Sequence, residues 1–176
     1  MFKKKFLLLI SIIFIVFTTV GCTKKEVPAV SHIENSDEVD MSWYSLLKNN
    51  EGFRGITKET LIDSIGNSNV NAIIYMGYSD CENCQNAIKS IQQAALDNNQ
   101  TVYYLDTEEE VKTDKDYDLL LNTLKPILKS MDENNPEDVK LFTPHVFFIK
   151  NGELLQGYIG YVGGYKYSDL FTENGF

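Results

Sequence analysis

The run Ala72-Ile73-Ile74-Tyr75-Met76 is continuously apolar and is followed, after a four-residue gap, by a long stretch with helical spacing. A strand without polar alternation has to be covered on both faces. Val70 to Met76 therefore reads as an interior strand, and Gly77 to Asp80 as the loop that leaves it. From about Cys81 to Asn98, the apolar residues Cys81, Cys84, Ile88, Ile91 and Ala95 form one stripe of a helix. Thr101 to Leu105 is a second strand. Strand, helix and strand with such short joints make a βαβ unit, whose two strands run parallel. An α/β architecture follows.

The flanking segments add to this unit. Trp43, Tyr44, Leu46 and Leu47 predict a short helix with one apolar side, and Phe53 to Ile56 a short strand. Thr57 is placed to cap a helix through Ile65, with Leu61, Ile62 and Ile65 on one face and Gly66-Asn67 closing it. Thr107 to Asp118 is acidic and reads as exposed. Tyr117, Leu121, Leu124 and Leu128 then trace a helical stripe. Pro126 inside it is expected to kink the helix or to start a second one. Asp132 to Asp138 reads as a loop. His145 to Ile149 is a strand, Asn151-Gly152 a two-residue hairpin signal, and Glu153 to Ile159 the returning strand. Tyr167 to Phe171 predicts a short final helix.

The chain has 176 residues, enough for one ordinary domain. With 43% hydrophobic and 23% charged residues, its balance is globular, which argues against wholesale disorder. A formal net charge of -9 makes phosphate-mediated nucleic-acid binding a poor fit. Three cysteines exclude a disulfide-dense scaffold.

Lys3, Lys4 and Lys5 precede Phe6 to Val20, a stretch with no charge that is too short for a spanning helix. This pattern is a secretory h-region. It runs into Thr19-Val20-Gly21-Cys22, which resembles a bacterial lipobox, although Thr19 stands where leucine is usual. Residues 1–21 are then a signal peptide, and Cys22 receives lipid. The other reading is an uncleaved N-terminal anchor with an incidental cysteine. Either way, the rest of the chain is expected outside the cytoplasmic membrane. Two acyl chains on one cysteine suffice for stable anchoring. The polar residues 22–41, including His32, read as a flexible tether, and 42–176 as the folded domain.

Cys81-Glu82-Asn83-Cys84 carries the chemistry. With Cys22 assigned to lipid, one CxxC pair remains. A second CxxC, needed for a four-cysteine zinc site, is missing, and no histidine follows Cys84 as covalent haem attachment requires. Residues three apart share a helix face, so the two sulfurs can meet. The unpaired N–H groups and partial positive charge of a helix N-terminus stabilise a thiolate. Cys81, at the tip, is the expected nucleophile. Cys84, one turn deeper, is expected to resolve the mixed disulfide. A structural disulfide is the bland alternative.

Thr143-Pro144 precedes His145-Val146-Phe147-Phe148-Ile149-Lys150-Asn151-Gly152-Glu153. Together with the Ala72–Met76 strand and the Cys81/Cys84 pair, this resembles the thioredoxin superfamily over roughly Ile56 to Phe171. The resemblance implies a thioredoxin-like fold: a central mixed sheet flanked by helices, here with a helical insertion around Asp114–Met131 before the cis-proline strand. It also implies a cis Pro144 facing the cysteines, substrate contact at the Thr143 backbone, and Gly160 lining the same groove. No organic cofactor is implied. The expected partners are exported cysteine-containing polypeptides and a second protein that recycles the pair. The layout is also similar to bacteriocin-transport accessory proteins.

The sequence departs from thioredoxins in several places. Asp80 replaces the tryptophan before the first cysteine, and Glu82-Asn83 replaces Gly-Pro between the two. Tyr75 stands where thioredoxins bury an aspartate that assists the resolving thiol. Asp80 and Glu82 oppose the helix dipole at Cys81. Two other uses stay open. Cys81, Cys84 and His145 would suit Cu(I) or zinc in a metal-binding module. Tyr158, Tyr161, Tyr165 and Tyr167, or the helical insertion, would hold a partner in a non-catalytic adaptor.

Overall fold

Ile73 and Ile74 are β-branched residues in an unbroken apolar run, and such runs form strands that are covered on both sides. A computed structural model, which describes residues 27–131 and 139–176, puts them in an interior strand of a five-stranded sheet. In chain order the elements are β1 (Phe53–Gly55), α1 (Lys58–Ser64), β2 (Ala72–Gly77), α2 (Glu82–Asp97) and β3 (Val102–Asp106). Then come α3 (Thr107–Glu110), α4 (Asp114–Met131), β4 (His145–Lys150), β5 (Glu153–Ile159) and α5 (Gly164–Glu173). The strand order is β1-β3-β2-β4-β5. β1 and β2 run parallel to β3, β4 runs antiparallel to β2, and β5 antiparallel to β4. This mixed, helix-flanked sheet is the thioredoxin-like fold; α3 and α4 connect β3 to β4, and α4, expected as an insertion, packs on the sheet beside α1 as one of the flanking helices.

Strand alternation divides the core in two. On one face Ile73, Tyr75, Tyr104, Val146 and Phe148 pack with Cys84, Ile88 and Ile91 of α2 and Tyr167 and Phe171 of α5. On the other face Ile74, Met76, Leu105, Phe147 and Ile149 pack with Leu61 of α1 and Leu120, Leu124 and Leu128 of α4. The predicted stripe is fully buried from Cys84 to Ala95, and Cys81, the N-cap of α2, is the one member with some exposure. Thr57 caps α1 as expected, its hydroxyl accepting the Thr60 N–H at 3.2 Å. Asn151 and Gly152 have φ of 52° and 78°. Positive φ at both central residues makes the tight hairpin turn that matches strand twist.

Five expectations change. The tether does not extend to residue 41. Ser31, Ile33, Ser36 and Met41 are buried. Ala29 N–H donates to Gly175 O, His32 bridges Asn71, Asp37 bridges Gly55, and Tyr103 Oη accepts from Ile33 N–H at 2.7 Å. The segment from Ala29 onward is thus a strap bound through isolated polar contacts, which leave no hydrophobic period to read. The predicted helix at Trp43–Leu47 is a pair of turns, Tyr44 N–H to Met41 O and Leu47 N–H to Tyr44 O. α4 runs unbroken through Pro126. Proline removes the bond to the carbonyl four residues earlier. Both Pro126 and Asn122 lie on the exposed side, while Leu124, Ile127 and Leu128 anchor the helix from the core. The stripe of α4 is centred on Leu120 and Leu124, with Leu121 only half-buried. The last helix is longer than predicted, beginning at Gly164. The expected loop at 132–138 and the lipobox with Cys22 lie outside the described residues. Among the described residues, no helix is long and apolar enough to cross a membrane.

Candidate active site

β2 ends at Gly77, and a short loop carries the chain to Cys81, the N-cap of α2. A helix leaves its first N–H groups without intrahelical partners. Here the Cys84 N–H donates to Cys81 Sγ at 3.1 Å. The sulfur thus occupies the place where an oxygen usually caps. The same N–H would stabilise a thiolate on Cys81 once the bond is opened. Cys81 and Cys84 form a disulfide, with their Cα atoms 5.1 Å apart. Cys81 is 8% exposed, whereas Cys84 is sealed in the core at 0%. Only Cys81 is open to attack from outside.

The peptide bond between Thr143 and Pro144 is cis, and Pro144 is buried at the start of β4. Thr143 Oγ1 lies 3.7 Å from Cys81 Sγ and donates toward it. Pro144 has no N–H, and its carbonyl accepts the Gly160 N–H at 2.7 Å. Gly160 has φ of 95°, a conformation suited to glycine, and its own carbonyl accepts the Tyr167 hydroxyl at 3.2 Å. Cys81, Cys84, Thr143 and Pro144 converge, and Gly160, just after β5, backs Pro144. An open cleft of about 470 Å³ is lined by Leu128, Val139, Phe142, Tyr158 and Ile159, among them the chain neighbours of Thr143 and Gly160 but not the cysteines. Phe142 and Tyr158 are exposed on its rim. Tyr161 is exposed as well, but Tyr167 is fully buried, so the tyrosines do not form one surface.

His145 is not part of this site. It alternates with Val146 along β4 and its ring packs at 5.0 Å from Phe147, on the sheet face opposite the cysteines. Among the described residues, no three His, Cys, Asp or Glu side chains converge on a metal position. The Cys81/Cys84/His145 ligand set therefore does not assemble. His145 is 1% exposed, and its Nε2 has no hydrogen-bond partner among the described residues. Burial pushes its pKa down to about 4 from the ordinary 6.5. Above pH 6.5 the ring is neutral both folded and unfolded, and stability is fully present. As pH falls from 6.5 toward 4, the unfolded chain binds a proton that the folded state refuses, removing about 3 kcal/mol. His145→Leu is expected to flatten that part of the acid limb in denaturant titrations across this range.

Two features were not visible in the sequence. Gln85 Nε2 donates to Ser79 O and Trp43 O at 2.7 and 3.0 Å, and its Oε1 accepts the Ser45 N–H at 3.1 Å. It ties the 43–45 turn to the loop that delivers Cys81. Nothing local marks a glutamine for this task. The second feature is a buried tyrosine cluster below Cys84. Its one sequence signal is Tyr75, a hydroxyl in an otherwise apolar strand.

No family model matches the chain, and no curated protein matches it. Among solved structures, the crystal structure of chloroplastic thioredoxin z is similar, with 16% identity and a TM-score of 0.45, over 68% of this chain and 90% of that one. The strand order, the disulfide-bonded CxxC at a helix N-terminus and the facing cis-proline define a thioredoxin-like module with a thiol–disulfide site.

Proposed function

We propose that this protein is a membrane-anchored, extracytoplasmic thiol–disulfide oxidoreductase acting on cysteine-containing exported polypeptides. The observation that carries the chemistry is the asymmetry of the pair. Cys81 caps α2, receives the Cys84 N–H and meets Thr143 at the rim, while Cys84 lies beneath it in the core. In the reducing direction, the Cys81 thiolate attacks one sulfur of a substrate disulfide. A Cys81–substrate bond forms and the other substrate sulfur leaves as a thiolate. Cys84 then attacks Cys81 Sγ, closing the ring disulfide and expelling the second substrate thiolate. The substrate gains two electrons and the pair loses two. Oxidation is the same sequence reversed, and a partner of matching potential resets the pair.

The Thr143 backbone, beside a proline with no N–H to offer, is the expected contact for an extended substrate. Anchoring rests on Lys3–Lys5, the apolar run and Cys22. The similarity to bacteriocin-transport accessory proteins fits a substrate that is exported and matured outside the membrane. Catalysed exchange between a model dithiol peptide and a glutathione buffer tests the activity. The native chain is expected to accelerate it, and Cys81→Ala to show only the uncatalysed rate. Cys22→Ala is expected to move the protein from the membrane fraction to the soluble one without changing that exchange.

A further inference from the structure

Cys81 is joined to β2 by Tyr78, Ser79 and Asp80, and Asp80 is exposed. Within this loop the Cys81 N–H reaches Tyr78 O at 3.4 Å, which is long for such a bond. Gln85 holds the loop more firmly. Its backbone N–H donates to Cys81 O at 2.9 Å, and its side-chain Nε2 donates to Ser79 O at 2.7 Å. One residue thus grips the main chain at Cys81 and again two residues before it. The amide is fixed in turn by the 43–45 turn. Its Nε2 also donates to Trp43 O at 3.0 Å, and its Oε1 accepts the Ser45 N–H at 3.1 Å. Three bonds on one planar group lock its orientation.

The residue type suits the task. A carboxylate could not donate to the two carbonyls, and an ammonium could not accept the Ser45 N–H. Gln92, about two turns further along α2, makes a similar tie: its Nε2 donates to Asn49 O at 3.1 Å and to Glu51 O at 2.8 Å. Both glutamines pin the 43–51 segment to α2, and Gln85 alone of the two also reaches the loop that delivers Cys81. What this loop carries is the attacking sulfur, 3.1 Å from the Cys84 N–H and 3.7 Å from Thr143 Oγ1. In the oxidised protein the S–S bond keeps the sulfur there. Once that bond opens, its place depends on the backbone that bears it.

We propose that Gln85 is a positioning residue for the reduced protein: by holding Ser79 O against the first turns of α2, it keeps the Cys81 sulfur at the helix N-cap, where the Cys84 N–H stabilises the attacking thiolate. This rests on the redox reading above. Gln85 acts through the backbone, since its bonds go to Ser79, Cys81, Trp43 and Ser45 main-chain atoms. The 43–45 turn thereby becomes part of the support of the site. The titratable groups beside Cys81 are Cys84 of α2 and the chain neighbours Asp80 and Glu82, both exposed, and the cis-proline loop brings the uncharged Thr143 to it. Without the amide, the loop is free to carry Sγ away from the N-cap, and the thiolate loses a charge-assisted hydrogen bond.

The test alkylates the reduced full-length protein with iodoacetamide over a range of pH and follows modification of Cys81 by peptide mass. Gln85→Met and Gln92→Met are compared with the native chain, because methionine keeps the length and helix propensity of glutamine while removing the amide. Gln85→Met is expected to react about tenfold more slowly near neutrality, the loss that follows when one hydrogen bond to a charged group is released. It should regain the native rate in alkaline solution, where the thiol ionises without help. Gln92→Met, which loosens the same segment at its far end, is expected to keep the native profile. A Gln85→Met profile that superimposes on the native one, or a Gln92→Met profile displaced as far, overturns the positioning role. A native protein that is alkylated at Cys81 but does not exchange with glutathione disulfide overturns the redox reading instead, and the two variant profiles still decide on Gln85.

Discussion

Cys84→Ser is expected to convert a transient intermediate into a stable adduct. With the resolving sulfur gone, the bond between Cys81 and a substrate cysteine has no internal competitor, and its lifetime is set by external thiols. Serine fills nearly the same space, so the core beneath α2 keeps its packing with Ile88 and Tyr75. Under mild oxidation the variant should accumulate mixed disulfides that run as higher bands without reductant and collapse on its addition. Cys81→Ser, which leaves the sealed sulfur alone, should accumulate none, because Cys84 is 0% exposed. Adducts formed equally by both variants would mean that the division into attacking and resolving cysteines is wrong.

Gly157→Ala carries the largest expected loss of stability. Gly157 sits where β5 holds an extra residue against β4, between the pairs Val146–Tyr158 and Phe148–Leu155. Such a bulge bends the strand and ends regular pairing. A Cβ at Gly157 would stand 1.7 Å from Val146 O and 2.6 Å from Phe147 Cα. Both are backbone atoms of a central strand and cannot swing aside. β5 would have to separate from β4, freeing the Gly160 N–H from Pro144 O at the site. We expect a loss of about 3 kcal/mol, at the upper end for overpacking. The accompanying slowing of exchange should exceed what the unfolded fraction explains. Denaturant titration with unchanged m-value and exchange kinetics on the same samples check this.

The parts of the fold legible in the sequence are those whose signal is local. β2, α2 and β3 follow from an apolar run, a 3-4 stripe and short joints, and Thr57 and Asn151-Gly152 act within their own turns. The pairing of Cys81 with Cys84 is equally local. The strap from Ala29 to Met41 is different. Ser31, Ile33 and Ser36 are each held by a residue far along the chain, Gln100, Tyr103 and Arg54 among them. No window of sequence contains both halves of such a bond. His145 shows a second limit. Its place beside Pro144 puts it near the site in sequence, but strand alternation turns it to the other core. The thioredoxin resemblance pointed to Tyr75 as a departure. The buried tyrosine cluster it belongs to became visible only when β2, β3 and the 41–47 turns brought three hydroxyls to one point.

The central claim, that Cys81 and Cys84 cycle as a two-electron pair, is tested most directly by their reduction potential. The protein is equilibrated with thiol buffers of defined poise, and the oxidised fraction is read by alkylation and mass. A single two-electron transition between about -270 and -120 mV, the span of known thioredoxin-fold catalysts, is the predicted result. A value near the lower end makes the protein a reductant, and one near the upper end a disulfide donor. A pair that stays oxidised below about -300 mV, as structural disulfides do, would contradict the account.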